Sequence, residues 1–337
     1  MIGLIVPNNI EKSPYVKYYM NVLEENHINY ELIEWCRENK NNNSKNIIYC
    51  SKIILENKLI KLYLYLGFIK FCKKKIYKRY TKLIIFTAQL GILLENFLNK
   101  NYKNRYIVDI RDYNFLINYR KKSFYNLLKN SYLNVISSPG FLKWLPKEFD
   151  YLVCHNIDDQ LLNNVKKSKT ILKKEKLKKI LTIGMIRDLN QQKEFIKKYS
   201  NNYILEYRGI GKEIEILKRE YSNLKNLKFY GRYNKEKELH YYINSDLINL
   251  IVGNDINSKT LIANRFYNAL ITDKIMIGSK DSYMGNLITK YKLGYIFEET
   301  NEFDINSNLE YNKNLLLEKI IYEQKKFKND IMKFLIL

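Results

Sequence analysis

Hydrophobic positions along this chain switch repeatedly between two patterns. Short apolar runs at Ile2–Val6, Tyr30–Glu34, Ile47–Tyr49, Leu83–Phe86, Tyr106–Ile110, Asn134–Ile136 and Tyr151–Cys154 read as buried strands. Between them, Tyr15–Asn26, Lys58–Tyr80, Gln89–Asn99 and Phe124–Asn130 carry helical spacing. Such alternation predicts a parallel sheet flanked by helices. From about Asn163 to Lys179 the chain is lysine-rich without a strong apolar period, which marks a linker. The alternation then resumes. Strands are predicted at Ile180–Ile183, Tyr203–Tyr207, Leu227–Tyr230, Leu247–Ile251 and Ile275–Ile277, with a strand end at Ile296–Glu298. Helices are predicted at Ile262–Leu270, Tyr283–Lys290 and Asn314–Phe327. The expected division is an α/β domain over 1–165, a second over 176–312, and a terminal helix, 313–337, that could cross back to the first.

Length supports this division, since 337 residues can build two cores. The formal net charge is +23, with 28 basic and 14 acidic residues in 1–170 and 30 and 21 in 171–337. Heavy use of Asn, Lys, Ile and Tyr is what an AT-rich genome would impose, so part of the charge is compositional. A basic surface suits nucleic acid, anionic lipid or phosphorylated substrates. No motif that reads RNA or DNA is present, so nucleic acid is not an expected partner. Cys36, Cys50, Cys72 and Cys154 have no metal-ligand spacing and there are three histidines. Neither a metal nor a disulfide framework is expected, and a reducing cytosol is the default. The start, MIGLIVPNN, lacks the basic region of a signal peptide and reads as a strand. No apolar window reaches the roughly 18 residues of a membrane span.

Lys58–Lys82 stands apart. It carries Lys58, Lys61, Lys70, Lys73, Lys74, Lys75, Lys78, Arg79 and Lys82 with no acid. Leu59, Leu62, Leu64, Leu66, Phe68, Ile69 and Phe71 are too many for one narrow core-facing stripe, and Tyr63, Tyr65 and Tyr77 suit a headgroup layer. The expectation is a helix that docks on an anionic membrane surface, chiefly through Lys73, Lys74, Lys75, Lys78 and Arg79. The alternative is an ordinary helix with a lysine-rich tail.

Candidate chemistry gathers at strand ends, where α/β sheets bind ligands. Arg111-Asp112-Tyr113 follows one strand, and Arg111 could simply pair with Asp109 or Asp112. Ser137-Ser138-Pro139-Gly140 and His155-Asn156 follow others. In the second half Arg187, Arg208, Arg232 and Arg265 all lie at or beside strand ends. The segment Leu261–Ser279, LIANRFYNALITDKIMIGS, is a helix feeding a strand, with Asn264, Arg265 and Asn268 towards its amino terminus. That end offers free backbone donors and a positive dipole, so an arginine there makes a diphosphate site.

These motifs, in order, resemble GT-B glycosyltransferases of capsular and lipopolysaccharide biosynthesis over most of the chain. NRFYNAL is similar to the family's N-(K/R)-hydrophobic-(Y/F)-E-A-L helix, with Asn268 in place of Glu and Thr272-Asp273-Lys274 in place of Gly-Lys-Pro. ILTIGMIRD resembles the opening strand of the donor domain, and LEYRGIGKE its G-x-G turn. LKFYGRYNKEKELHYYINSDLINLI is similar to the V-x-F-x-G…Y-x-x-S-D-V segment. The strand ending RDY, the VISS strand and CHNID resemble elements of the acceptor domain. The resemblance implies two Rossmann-like domains facing a central cleft. It assigns the donor to Gly184, Arg187, Arg208, Gly209, Gly211, Gly231, Arg232, Asn264, Arg265 and Asn268. Asn8, Asn9, Arg111 and Ser138 fall on the acceptor side.

The activity implied is metal-independent transfer of a sugar, without a cofactor, from a nucleotide-sugar to a surface-glycan acceptor, lipid-linked and met at the inner face of the plasma membrane. If the reaction inverts, Asp112 is the first choice of base for the acceptor hydroxyl, with His155 behind it. The paired glutamates of retaining members are replaced by Leu261 and Asn268, so the stereochemistry stays open. A non-catalytic scaffold that binds a membrane or partner, and a nucleotide-sugar epimerase, are the rival readings.

Overall fold

The computed structural model describes residues 1–36, 46–51, 58–157, 178–303 and 309–336. The chain begins as a run of βα units: β1 (Ile2–Val6), α1 (Val16–Glu25), β2 (Tyr30–Cys36), β3 (Ile47–Cys50), α2 (Lys58–Ile76), β4 (Lys82–Phe86), α3 (Ala88–Asn101) and β5 (Tyr106–Ile110). Two helices, α4 (Leu116–Tyr119) and α5 (Lys121–Lys129), precede β6 (Leu133–Ile136) and β7 (Leu152–Val153). All seven strands are parallel, in the order β3-β2-β1-β4-β5-β6-β7. The order reverses between β1 and β4, as in a doubly wound sheet.

Strand burial explains the unbroken apolar runs: every residue of β1 and β5 is buried. Right-handed crossovers in opposite directions put α1 on one face and α2, α3 and α5 on the other. On the α1 side, Val16, Tyr19, Val22 and Leu23 join Phe327 and Ile331 over the sheet. On the other side, α2 buries Tyr65, Phe68, Ile69, Cys72 and Ile76. Phe68 stacks on Trp35 with ring centroids 5.4 Å apart. Burying such a side chain contributes about 1.5–3 kcal/mol. Cys36 and Cys50 are register partners on β2 and β3, a juxtaposition invisible in their sequence spacing.

The second half repeats the plan with β8 (Lys179–Met185), α6 (Leu189–Tyr199), β9 (Ile204–Ile210), α7 (Lys212–Glu220), β10 (Leu227–Gly231), α8 (Glu238–Ile243) and β11 (Leu247–Asn249). There follow α9 (Ile256–Thr260), α10 (Asn264–Ile271), β12 (Ile275–Gly278), α11 (Tyr283–Tyr291), β13 (Gly294–Ile296) and α12 (Leu309–Ile336). Its six parallel strands run β10-β9-β8-β11-β12-β13, reversing between β8 and β11.

The chain divides into two units: Met1–His155 with Glu323–Leu337, and Asn156–Tyr322. The terminal helix is longer than its amphipathic stretch predicted, and the division falls within it. Leu316 and Ile320 pack in the core of the second unit. Phe327, Ile331 and Phe334 pack in that of the first. The linker expected at 163–179 lies mostly outside the described residues. Other boundaries move for local reasons. The helix expected from Ile262, α10, starts at Asn264 instead, because Ala263 is still extended. β9 runs on to Ile210, so Arg208 and Gly209 belong to the strand and not to a loop.

Candidate functional site

The reversal between β8 and β11 is where the second unit gathers its polar groups. β8 passes through Gly184, at φ 103°, and gives way to Arg187, which is exposed, and to Asp188, left-handed at φ 62° ahead of α6. Asp188 Oδ2 accepts from Gly253 N at 2.8 Å, tying the loop after β8 to the loop after β11. Gly209 lies against this turn: a Cβ there would stand 1.8 Å from Gly184 O. A Cβ on Gly211 would meet Ile186 O at 2.2 Å. Glycines at these positions let β9 and its exit approach the end of β8.

Arg265, in the first turn of α10, donates from Nη2 to Ile251 O at 3.1 Å, just beyond β11. Its Nε is buried with no hydrogen-bond partner. Burial pulls its pKa down from the ordinary arginine value; Tyr242 and Asp188 push it up, and Arg187 adds like-charge repulsion. Among the described residues no carboxylate forms an ion pair with it. A half-buried guanidinium with a second cation beside it and the amino terminus of α10 around it gains from a bound anion. Asn264, the first residue of α10, is exposed.

Asn268, one turn further along α10, donates from Nδ2 to Glu238 Oε1 at 3.1 Å. Burial raises the Glu238 pKa, against the lowering effects of Lys235, Tyr233 and Asn268. This carboxyl thus stands beside the position where the GT-B pattern has its glutamate. Sequence reasoning missed Glu238, because α8 and α10 meet only in the fold. Its signal was an acid at the head of a short helix, two residues after Glu236.

The four arginines separate into pairs. Arg187 and Arg265 act on one another, whereas Arg208 and Arg232 stand on β9 and just past β10. Arg208 is clamped between the Tyr230 and Tyr241 rings, 3.7 and 4.2 Å from their centroids, and reaches Glu206 at 3.4 Å. Such stacking stabilises its charge within the protein and fixes the guanidinium against β10 and α8. Arg232 is exposed after Gly231, which is left-handed at φ 68°.

In the first unit the RDY loop is built on a buried ion pair. Arg111 Nη2 is 2.5 Å from Asp109 Oδ2, whose same oxygen accepts from Tyr19 Oη at 2.6 Å. Arg111 also donates to Cys154 O at 3.3 Å and lies 4.7 Å from the Tyr15 ring centre. Burial opposes its charge, but Asp109 overrides this and holds the guanidinium pKa well above its ordinary value. Arg111 therefore fastens the loop from within, which corrects its predicted acceptor role. Asp112, next along, is exposed at the carboxyl end of β5. Ser138 is also corrected: it is fully buried, and its Oγ accepts from Gly140 N at 3.1 Å to cap the helical turn Pro139–Lys143. Asn9 is buried and donates to Cys36 Sγ at 3.8 Å, while Asn8 is half-buried in the turn after β1. His155 is buried, its Nε2 2.8 Å from Glu323 Oε2, and its backbone N–H donates to Gln324 Oε1 at 3.1 Å. That pairing docks the terminal helix and sets His155 apart from the exposed Asp112.

Along α2, Lys74, Lys75 and Lys78 are exposed and Lys73 is half-buried. Arg79 differs from the expectation. It is held by Glu31 through Nε and Nη2, each at 2.8 Å, and so fastens the end of α2 to β2. Among the described residues no helix is long and apolar enough to cross a membrane.

The amino-acid sequence matches no protein-family profile and no curated protein. Solved structures do match in shape. "Trehalose-6-phosphate from E. coli bound with UDP-2-fluoro glucose" aligns over 98% of this chain and 99% of its own, with TM-score 0.61 and 10% identity. WaaG, a glycosyltransferase involved in lipopolysaccharide biosynthesis, aligns over 99% and 95%, with TM-score 0.57 and 10% identity. A UDP-GlcNAc 2-epimerase from Methanocaldococcus jannaschii aligns over 96% and 100%, with TM-score 0.53 and 10% identity. With two parallel sheets, each reversing at a switch point, and likenesses spanning nearly the whole chain, the protein has the two-domain GT-B fold of glycosyltransferases.

Proposed function

We propose that the protein transfers a sugar from a nucleotide-sugar, bound by the second unit, to an acceptor hydroxyl presented at the carboxyl edge of the first. The observation that carries this is Arg265, a half-buried cation with a buried Nε at a switch point, beside Arg187 and, among the described residues, without a carboxylate ion partner. A nucleoside diphosphate has the charge and shape to fill that position. In the transfer, the bond from the sugar's anomeric carbon to the diphosphate breaks and the bond to the acceptor oxygen forms. The leaving diphosphate gains negative charge, which Arg265, Arg187 and the head of α10 stabilise. The acceptor's proton goes to Asp112, the exposed carboxylate after β5, if the reaction inverts. The Glu238–Asn268 pair offers both an acceptor and a donor to hydroxyls of the bound donor. An acceptor linked to a lipid would be met at an anionic membrane surface, for which the lysines of α2 supply charge.

The likeness to a UDP-GlcNAc 2-epimerase favours a second reading, isomerisation of the nucleotide-sugar itself. Mass spectrometry of UDP-, GDP- and CMP-sugars incubated with the protein separates the two. Transfer or slow hydrolysis of a UDP- or GDP-sugar, releasing free nucleoside diphosphate, is expected, and the CMP-sugars, which carry no diphosphate, should stay intact. Asp112→Asn should lower that turnover about a hundredfold while donor binding holds. A donor converted to an isomer of equal mass, resolved by chromatography, would favour the epimerase. No change in any donor would reject both.

A further inference from the structure

Charge is segregated on the first unit. Residues 57–147, which build α2, α3, α4, α5 and the strands beneath them, hold nineteen basic residues and three acidic ones. Of those acids Glu95 and Asp109 are buried, leaving Asp112 exposed. The helical face formed by α2, α3 and α5 is thus a basic surface. Its two ends differ. A crossover helix starts at the carboxyl edge of a parallel sheet and runs back to the amino edge. Lys73, Lys74, Lys75 and Lys78, in and after the last turn of α2, therefore sit at the amino edge. The first turns of α2, together with α4 and the Pro139–Lys143 turn, sit at the carboxyl edge.

This carboxyl edge gathers more exposed apolar side chains than the amino edge, where Tyr77 is exposed beside the lysines. Tyr119 of α4 is 83% exposed, Tyr63 of α2 76% and Phe115 67%. Leu62, Leu66 and Leu142 are also exposed. The loop that carries Phe115 is joined to the turn that carries Leu142 through Tyr113 and Trp144, whose rings meet edge-on at 5.5 Å. Arg120, Lys121, Lys122 and Lys143 are exposed among them. Aromatic and aliphatic tips set among basic side chains, with no core to enter, match the boundary of an anionic bilayer. Leu62, Leu66 and Leu142 have no ring face to stack on a base; they gain by leaving water for hydrocarbon.

We infer that the carboxyl edge of the first unit is a lipid-contact surface. Tyr63, Phe115 and Tyr119 insert at the headgroup level, and Arg120, Lys121 and Lys122 contact anionic headgroups. This deepens the lipid-linked acceptor reading: Asp112 lies on the same edge, so the surface that carries the acceptor would face the proposed base. It also moves the membrane contact from the lysine tail of α2 to the opposite end of that helix.

Flotation of the full chain with vesicles of phosphatidylglycerol and phosphatidylcholine tests this. Wild type should bind anionic vesicles at low salt, and less as salt rises. The combined Tyr63→Ser, Phe115→Ser and Tyr119→Ser variant should bind about tenfold or more weakly. Tyr322→Ser, at an equally exposed tyrosine of the second unit, should bind as wild type does. Arg120→Glu with Lys121→Glu and Lys122→Glu should also weaken binding. Near-ultraviolet circular dichroism checks that each variant is folded. The proposal is overturned if wild type stays soluble at low salt, or if the serine variant floats like wild type. If reversal at Lys73, Lys74 and Lys75 alone abolishes binding, the lysine tail holds the membrane and this edge does not. Binding of single-stranded DNA in place of vesicles, lost in the same variants, would assign the surface to nucleic acid instead. Donor binding, titrated with UDP and GDP, is read on the second unit, so failure here leaves the donor-site result standing and the reverse also holds.

Discussion

Arg265 was legible in the sequence because helix start, arginine and following strand are contiguous there. Its partners were not: Ile251, Tyr242 and the adjacent Arg187 and Asp188 come to it from three different segments. A charge-assisted contact to phosphate contributes roughly 1.5–3 kcal/mol. Arg265→Ala should therefore weaken nucleoside diphosphate affinity about tenfold or more. Calorimetric titration with UDP and GDP measures it, and an unchanged affinity in a folded variant would reject the donor assignment. Arg111 teaches the converse. Its neighbours Asp109 and Asp112 are both in the motif, so sequence left its partner open, and the strand decides. Asp109 points into the core of the first unit with Tyr19, and Arg111 follows it.

At the scale of elements, the close pairing of β8 and β9 depends on side chains that are absent. A methyl on Gly209 would overlap the Gly184 carbonyl, which belongs to the paired strand, so neither partner can yield without opening the ladder. Gly209→Ala should cost about 1–3 kcal/mol or more by overpacking. Gly184→Ala meets nothing within 4 Å and strains only a positive φ, so it should cost less. Thermal unfolding followed by far-ultraviolet circular dichroism ranks the two, and an equal effect would mean that the clash is relieved by relaxation. The G-x-G spacing was readable beforehand, but not which strand each glycine faces. Strand order is set by non-local pairing, which a linear pattern does not encode.

For the whole molecule, the terminal helix does what no adjacent element could. Its last turns bury Phe327, Ile331 and Phe334 in the core of the first unit, and Lys82 Nζ donates to the carbonyls of Phe334 and Leu335. Glu323 and Gln324 hold His155. A chain ending at Tyr322 should therefore destabilise the first unit, by several kcal/mol if losses resemble those of large core truncations. Both tryptophans, Trp35 and Trp144, lie in that unit, so their fluorescence reports its melting. An unshifted fluorescence transition in the truncated chain would show that these contacts contribute little.

Hydrophobic period by itself determined that the chain is α/β, that the alternation runs twice, and that an amphipathic helix closes it. These follow from local burial, which leaves its mark residue by residue as apolar runs and helical stripes. The motifs also placed Gly184 and Arg187 at the end of a strand and Arg265 at the start of a helix that feeds one, because these elements are neighbours in sequence. Only the tertiary structure decided which polar groups are spent and which are not. Arg208 is stacked between tyrosines, Arg79 is taken by Glu31, His155 by Glu323 and Ser138 by a backbone amide. Each partner comes from the packing of that residue's surroundings, and burial and pairing are properties of a folded surface. For the same reason the sequence showed that Lys58–Lys82 had more apolar residues than one stripe could bury, and the fold chose that Phe68 faces Trp35 while Tyr63 faces outward.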